Sequence, residues 1–580
     1  MNRRSFLYTA AATAMTPQWL AAQAAALPPV PPLDSSKIKP SDFSDADLDM
    51  PFALSHFARL ANSMLLEGPD AGFLTLSVWR GTANLHPYNA RIMENILTLT
   101  WFYVTDRPWN QYRGHPALRA RLELALTYWC GLQGPGGEFS EYGVKEWNLA
   151  ATSFAVKFFA EALRLLKQAG SPAIDSVLHQ RAIDAIHKAM RSVLFDPEMY
   201  SHGLTFSNQY TNIFAGGAAF LAMYPDAELE ARLHQRLAEA GTKLQSPCGY
   251  MYEGDGPDLG YTLNTHHENL AMAWNYWRGT PLATTLVEEE NRFADWLQYN
   301  ALPEPGQPFF VLNRGIETRQ QHATYGAVDT PLAERCPLMR VFATSPSRRA
   351  EQISAARAKL NREWPQVDPL VVGEFGALSP YLFLMRSLHE WHPTQAQMDE
   401  AQHLYRPLRE TSFVEQLKDS REPIVFTYVR RPTYYAAFAA APKTVTPQER
   451  LGLTLLWSPE RGVLLQSQTN GGETAWGTAA GNTSHEGTGL DVTYADNNTT
   501  MRYPLLRGGT KTVRFEQDQV RVTVEMPGEI VEHVPVFDPG CVHSETVRRV
   551  LDQTKSPVLG KTFHVVELRA TDKLEYTLRP

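Results

Sequence analysis

Apolar and polar positions divide the chain into two stretches of different period. From about residue 50 to 395, apolar residues recur at three- and four-residue spacing, as in helices that bury one face. The segments 116–132, 147–168, 177–194, 209–223, 229–244, 261–278 and 281–299 carry this pattern, with short Gly- and Pro-punctuated gaps between them. Short gaps make consecutive helices pair as hairpins, too irregular here for a short solenoid repeat. The pattern predicts a closed (α/α) toroid of helical hairpins whose loops ring one central cleft. Further on, the segments 424–429, 434–438, 451–457, 462–468, 512–515 and 520–524 are short, β-branched or aromatic, and bounded by Gly, Pro, Asn and Asp. That is the signature of an antiparallel β-sandwich. The expected organisation is α+β and multidomain: an N-terminal toroid over 27–395 and a C-terminal antiparallel β-sandwich over 396–580.

The first 26 residues stand apart. Met1-Asn2-Arg3-Arg4-Ser5-Phe6-Leu7 leads into a small-residue apolar run to Leu20 and an Ala-rich end. A basic start, a short apolar segment and an Ala-x-Ala end predict an export signal over 1–26, and the paired arginines resemble the twin-arginine type. The mature chain is then expected to be periplasmic or secreted. No other apolar run reaches the length of a membrane span.

Length and charge narrow the function. At 580 residues the chain exceeds what one core usually serves, so two domains are the default. A formal net charge of -8 gives no footprint for nucleic acid. If the substrate is acidic, the positive charge that meets it must be local. Cys130, Cys248, Cys336 and Cys541 are far apart and make neither a disulfide framework nor a zinc knuckle.

The densest chemistry lies in Gly249-Tyr250-Met251-Tyr252-Glu253-Gly254-Asp255-Gly256-Pro257-Asp258-Leu259-Gly260-Tyr261, which runs directly into the helix pattern carrying His266 and His267. Glycines let backbone approach a ligand closely, and phenols, carboxylates and imidazoles are the groups that transfer protons. The stretch predicts an active-site loop for a polar, saccharide-like substrate; as a plain connector, its Asp258 would cap the next helix. His267 falls on an apolar stripe with Leu263, Leu270 and Trp274, which makes it a core histidine and leaves His266 the more available one. Two adjacent histidines lack the i, i+4 spacing of a zinc helix, and Glu253, Asp255 and Asp258 do not match a calcium loop; no metal and no cofactor is expected.

Two segments, Ser207-Asn208-Gln209-Tyr210-Thr211-Asn212 and Tyr252 to Tyr261 with its Glu-x-x-Gly-x-Asp-x-Gly-Tyr core, together with the helical-then-β order, resemble the heparinase II/III-like group of polysaccharide lyases. The resemblance implies an Asn that neutralises a uronate carboxylate, a Tyr that exchanges protons with the sugar, and an assisting His or Arg. The proton beside a carboxylate is barely acidic until that charge is hydrogen-bonded or paired. Asn208 is the first candidate for that role, with Asn212 behind it, unless Asn208 caps the helix near Gln209. Tyr261 and Tyr252 are the candidate phenols and His266 the imidazole. Arg314 and Arg319 would lower a phenol's pKa and grip a carboxylate, unless they pair with Glu317. Glu253 and Asp258 would hold substrate, and Trp79, Arg80, Tyr142 and Trp147 fall at predicted helix ends where they can meet sugar rings. The expected function is an exported lyase cleaving a uronic-acid-containing polysaccharide or oligosaccharide by β-elimination. Two alternatives stay open: a glycoside hydrolase using Glu253 and Asp258, or a non-catalytic glycan-binding protein.

Overall fold

The computed structural model describes residues 27–76, 84–254, 256–316, 320–326, 329–366, 378–388, 390–441, 451–467, 475–480, 483–487, 489–555 and 560–580. The predicted export signal, Trp79, Arg80, Asp255, Glu317 and Arg319 lie outside the described residues. The chain folds as two compact units, Met1–Met190 with Ile353–Ser387, and Arg191–Gln352 with Leu388–Pro580.

The first unit is helical. Its helix Ile96–Val104 has all nine residues buried, which explains why its sequence reads apolar all round and carries no stripe. Pro116–Leu132 starts on a proline, where the missing N–H costs nothing, and His115 Nδ1 accepts the N–H of Ala117. Within this core Trp129 stacks on Phe139 and Phe159 at 4.9 and 3.7 Å between ring centroids. The helix expected from residue 147 starts two residues later, as Leu149–Ala169. Asn148 caps it by accepting the N–H of Ala151, while Trp147–Asn148 pairs as a short strand with Phe139–Ser140.

The second unit begins with the helices Pro197–Thr205, Asn212–Met223, Ala227–Lys243, His267–Trp277 and Leu282–Leu297. Where the sequence pattern predicts continuing helix, a three-stranded antiparallel sheet intervenes: Ala301–Pro303, Phe309–Leu312 and His322–Thr324. Its middle strand, Phe-Phe-Val-Leu, is β-forming by composition, and Gly306 at φ +68 turns the chain into it.

Next comes an antiparallel sheet that has 14 strands among the described residues, starting at Phe413–Asp419 and ending at Thr562–Leu578. Its longest pair joins Val520–Val536 to Thr562–Leu578, with a register shift between Glu525 and Glu529. Strands Ile424–Arg431, Tyr434–Ala440 and Gly452–Ser458 are buried almost throughout, because both faces are covered. One face sends Phe426, Tyr428, Tyr435 and Trp457 against Trp296, Leu302 and Phe310. The other packs Val429, Ala436 and Leu456 against Val522, Val534, Val566 and Leu574. The sheet therefore reads as continuous apolar runs and not as alternation. No helix of the described residues is long and apolar enough to cross a membrane.

Candidate active site

The glycine-rich loop is held from below by the sheet. Asp419, at the end of Phe413–Asp419, accepts the hydroxyls of Ser246 and Tyr250, and Arg421 donates to the carbonyls of Lys243 and Leu204. Gly249 sits at φ +109, and a Cβ there would come 2.1 Å from the carbonyl oxygen of Arg292, so no other residue closes this turn. The far end of the loop is fixed by Asp258, whose Oδ1 accepts the N–H of Tyr261 at 3.1 Å, and by the Leu259 N–H donating to Ile316 O at 3.0 Å. That second bond ties the Arg314 loop to the turn carrying Tyr261.

Beyond Tyr261 the helix is not regular. Thr262–His266 is a π-helical turn closed by the His267 N–H on Thr262 O. One extra residue in the turn rotates the rest of the helix by about 100° relative to a straight α-helix. This corrects the exposure expected of His266: the ring is only 1% exposed and His267 3%. His267 Nδ1 lies 2.7 Å from Glu290 Oε1 in the core.

His266 is enclosed by partners. Its Nε2 lies 2.8 Å from Glu253 Oε1 and 2.9 Å from Ser207 Oγ, and its Nδ1 lies 3.2 Å from Thr211 Oγ1. Thr211 Oγ1 accepts the Asn269 amide at 3.0 Å, which frees its own proton for Nδ1. With the Asn269 amide so oriented, the tautomer is assigned as Nε2–H donating to Glu253. Burial drives the His266 pKa down to about 3, against the pull of the carboxylate beside it. Burial prevails because the neutral ring already has both nitrogens hydrogen-bonded.

Glu253 also accepts the backbone N–H of Asn208 at 2.6 Å, so one carboxylate oxygen joins Asn208 to His266. The expected capping alternative for Asn208 is overturned. Asn208 lies inside the short helix Ser207–Tyr210, whose N-cap residue is Phe206. The Asn208 side chain is buried, and its Oδ1 has no hydrogen-bond partner among the described residues. Asn212 is fully buried, and its amide donates to the carbonyls of Asn208 and Gln209; it braces this turn and does not face outward.

Of the loop's tyrosines only Tyr261 is open, at 42% exposure, with Asn264 exposed one turn on. Tyr252 is corrected as a proton-transfer candidate. Its ring is buried beneath the Arg421 guanidinium, 4.0 Å from the centroid, and burial with the nearby Asp419 charge holds its phenol protonated. Asp258 is buried in its capping role. Arg314 is 1% exposed and its Nη1 donates to Gln320 O, so it braces its own loop and is not an open cation. In the other unit Tyr142 is 62% exposed and Trp147 half-buried.

Sequence reasoning missed Ser207, Thr211 and Asn269. Ser207 and Thr211 stand inside the 207–212 segment; Asn269 is one of two amides in His267–Trp277, and only its full burial sets it apart. Among the described residues no group of three or more His, Cys, Asp or Glu could hold a metal ion.

No family model matches the sequence and no curated protein matches it. Solved structures do. A chondroitin AC lyase of Streptomyces coelicolor A3, in a point-mutant form, is 12% identical with a TM-score of 0.52 over 93% of this chain and 79% of that one. The same enzyme in complex with chondroitin sulphate aligns at 11% identity and TM-score 0.48, covering 97% and 82% of the two chains. A heparinase III aligns at 9% identity and TM-score 0.48, covering 96% and 88%. The first of these shows the fold: an (α/α) toroid followed by an antiparallel β-sandwich, as in that chondroitin AC lyase.

Proposed function

We propose that the protein is an exported polysaccharide lyase that cleaves a uronic-acid-containing glycan by β-elimination. The observation that carries this reading is the division of labour in the glycine-rich loop. Its two described carboxylates are committed inward, Glu253 to His266 and the Asn208 N–H, and Asp258 to the Tyr261 N–H. Among the loop's described residues the exposed ionisable group is the phenol of Tyr261. A hydrolase needs two carboxyl groups facing the sugar, and this arrangement does not favour it.

In the proposed reaction Tyr261, as the phenolate, takes the proton from the carbon beside the uronate carboxylate. The released electron pair forms a carbon–carbon double bond, the glycosidic carbon–oxygen bond breaks, and the departing oxygen receives that same proton back from the Tyr261 hydroxyl, which regenerates the phenolate. Negative charge grows on the uronate carboxylate as the first proton leaves, so a donor placed there stabilises the transition state more than the ground state. Asn208 supplies an amide donor, and Glu253 fixes its backbone. His266, neutral and enclosed, positions Glu253.

Export rests on Arg3-Arg4-Ser5-Phe6-Leu7 and the Ala-rich segment after it. The test of activity is an assay for the ultraviolet-absorbing unsaturated uronate across a panel of uronate polymers. Cleavage that yields new reducing ends without that chromophore would remove the lyase assignment.

A further inference from the structure

Twelve residues along the helical path from His266, His267–Trp277 ends and turns into Leu282–Leu297. A recess of about 570 Å³ opens at this corner, with Trp274 and Val287 among its lining residues and Arg278 and Arg335 at its rim. Both arginines are exposed, and among the described residues neither guanidinium has a carboxylate partner. Glu334 also lines the recess, which leaves one positive charge in excess within a chain of net charge -8. The N-terminus of Leu282–Leu297 adds nothing, because the N–H groups of Ala283 and Thr284 already donate to Thr280 O and Pro281 O. The two arginines carry the attraction.

We propose that this recess is a second, non-catalytic subsite that takes the carboxylate or sulfate of an acidic glycan. A planar guanidinium matches either oxyanion with two parallel hydrogen bonds. The helix rises about 1.5 Å per residue, so the recess lies about 18 Å from His266, a separation of several sugar units. The subsite therefore holds polymer and not the residue being cleaved. This inference rests on the proposed acidic-glycan substrate, but its test needs no turnover.

The full chain carrying Tyr261→Phe, and the same chain with Arg278→Ala and Arg335→Ala added, are titrated with chondroitin sulphate, with heparin and with inorganic sulfate, their folds compared by circular dichroism. Loss of two charge-assisted contacts is expected to weaken binding of at least one polymer about tenfold or more, and Arg→Lys at both positions should restore part of it. Polymer binding that is unchanged by the substitutions, or undetectable in the starting protein, overturns the subsite. Displacement of bound polymer by inorganic sulfate at concentrations that bulk screening does not explain would overturn the glycan assignment in favour of a free-anion site. Failure of the lyase assay with arginine-dependent binding intact would remove the proposed reaction and leave the subsite standing. An active lyase whose binding ignores both arginines would do the reverse.

Discussion

Glu253 Oε1 lies 2.8 Å from His266 Nε2 and 2.6 Å from the backbone nitrogen of Asn208. One oxygen thus joins three chain segments: the glycine-rich loop, the π-helical turn and the short helix Ser207–Tyr210. Substituting Glu253→Gln keeps the size but turns a charged acceptor into an amide, which weakens both bonds. A loss of about 1–3 kcal/mol in unfolding free energy is expected, measured by urea denaturation, together with partial and not complete loss of elimination. Complete loss with unchanged stability would make Glu253 the reacting group and restore the hydrolase reading.

Tyr261→Phe should separate chemistry from folding most cleanly. The side chain is 42% exposed, so removing its hydroxyl leaves packing intact and the melting temperature within about a degree or two, as for most surface changes. Elimination should fall about 100- to 10,000-fold, the usual contribution of a positioned acid or base. Activity near the parental rate would mean that another group takes the proton.

How far the sequence reaches can be read from these same residues. The Glu253–Tyr261 segment stood out because Gly, acid and phenol are dense there, and the capping role of Asp258 is available from spacing alone. The long helices and the two-sided apolar strands were legible because period and burial coincide. His266 was not, since a π-helical turn changes the helical phase and leaves no compositional mark. Likewise Tyr252 and Arg314 look like reactive groups in one dimension. Asp419 and Arg421, more than a hundred and sixty positions from Tyr252, bury the tyrosine through contacts of long sequence separation. The short sheet over 301–324 was hidden for a simpler reason: apolar runs of three or four residues fit helix and strand alike.

Two buried groups give opposite pH responses. His266 is neutral when folded, with its pKa lowered to about 3 by burial, against about 6.5 in an unfolded chain. Its contribution is present above pH 6.5 and is lost as pH falls toward 3, with a slope of up to about 1.4 kcal/mol per pH unit. Glu289, fully buried and with neither oxygen hydrogen-bonded among the described residues, is raised to about 8, mainly by burial. Its sign is reversed: stability is present below about pH 4.5 and falls as pH rises toward 8. Glu289→Gln should therefore remove a decline in melting temperature between pH 6.5 and 8 without altering the acid limb. An unchanged alkaline limb would show that Glu289 is ionised in the folded protein.

The sheet offers the last prediction, at Lys511. Its Nζ is fully buried, 2.8 Å from Glu486 Oε1 and 2.7 Å from Glu532 Oε1, and 3.6 Å from the ring centroid of Trp476. Tyr503 and Tyr576 donate to the two carboxylates, and the Thr478 N–H and hydroxyl donate to Glu486 and Glu532. The cluster spans the strands Gly477–Ala480, Thr510–Phe515 and Val520–Val536. Lys511→Met fills the same space but strands two carboxylates in a dry interior, so one or both must take up a proton. Breaking a buried pair in this way typically costs about 3–5 kcal/mol, and the cost should shrink at low pH, where protonating the carboxylates is easier. Replacing all three residues, Lys511→Met with Glu486→Gln and Glu532→Gln, should recover most of the loss, because no charge is then left unpaired. Equal destabilisation of the single and triple variants at every pH would mean that packing around the lysine stem, and not its charge, holds these strands.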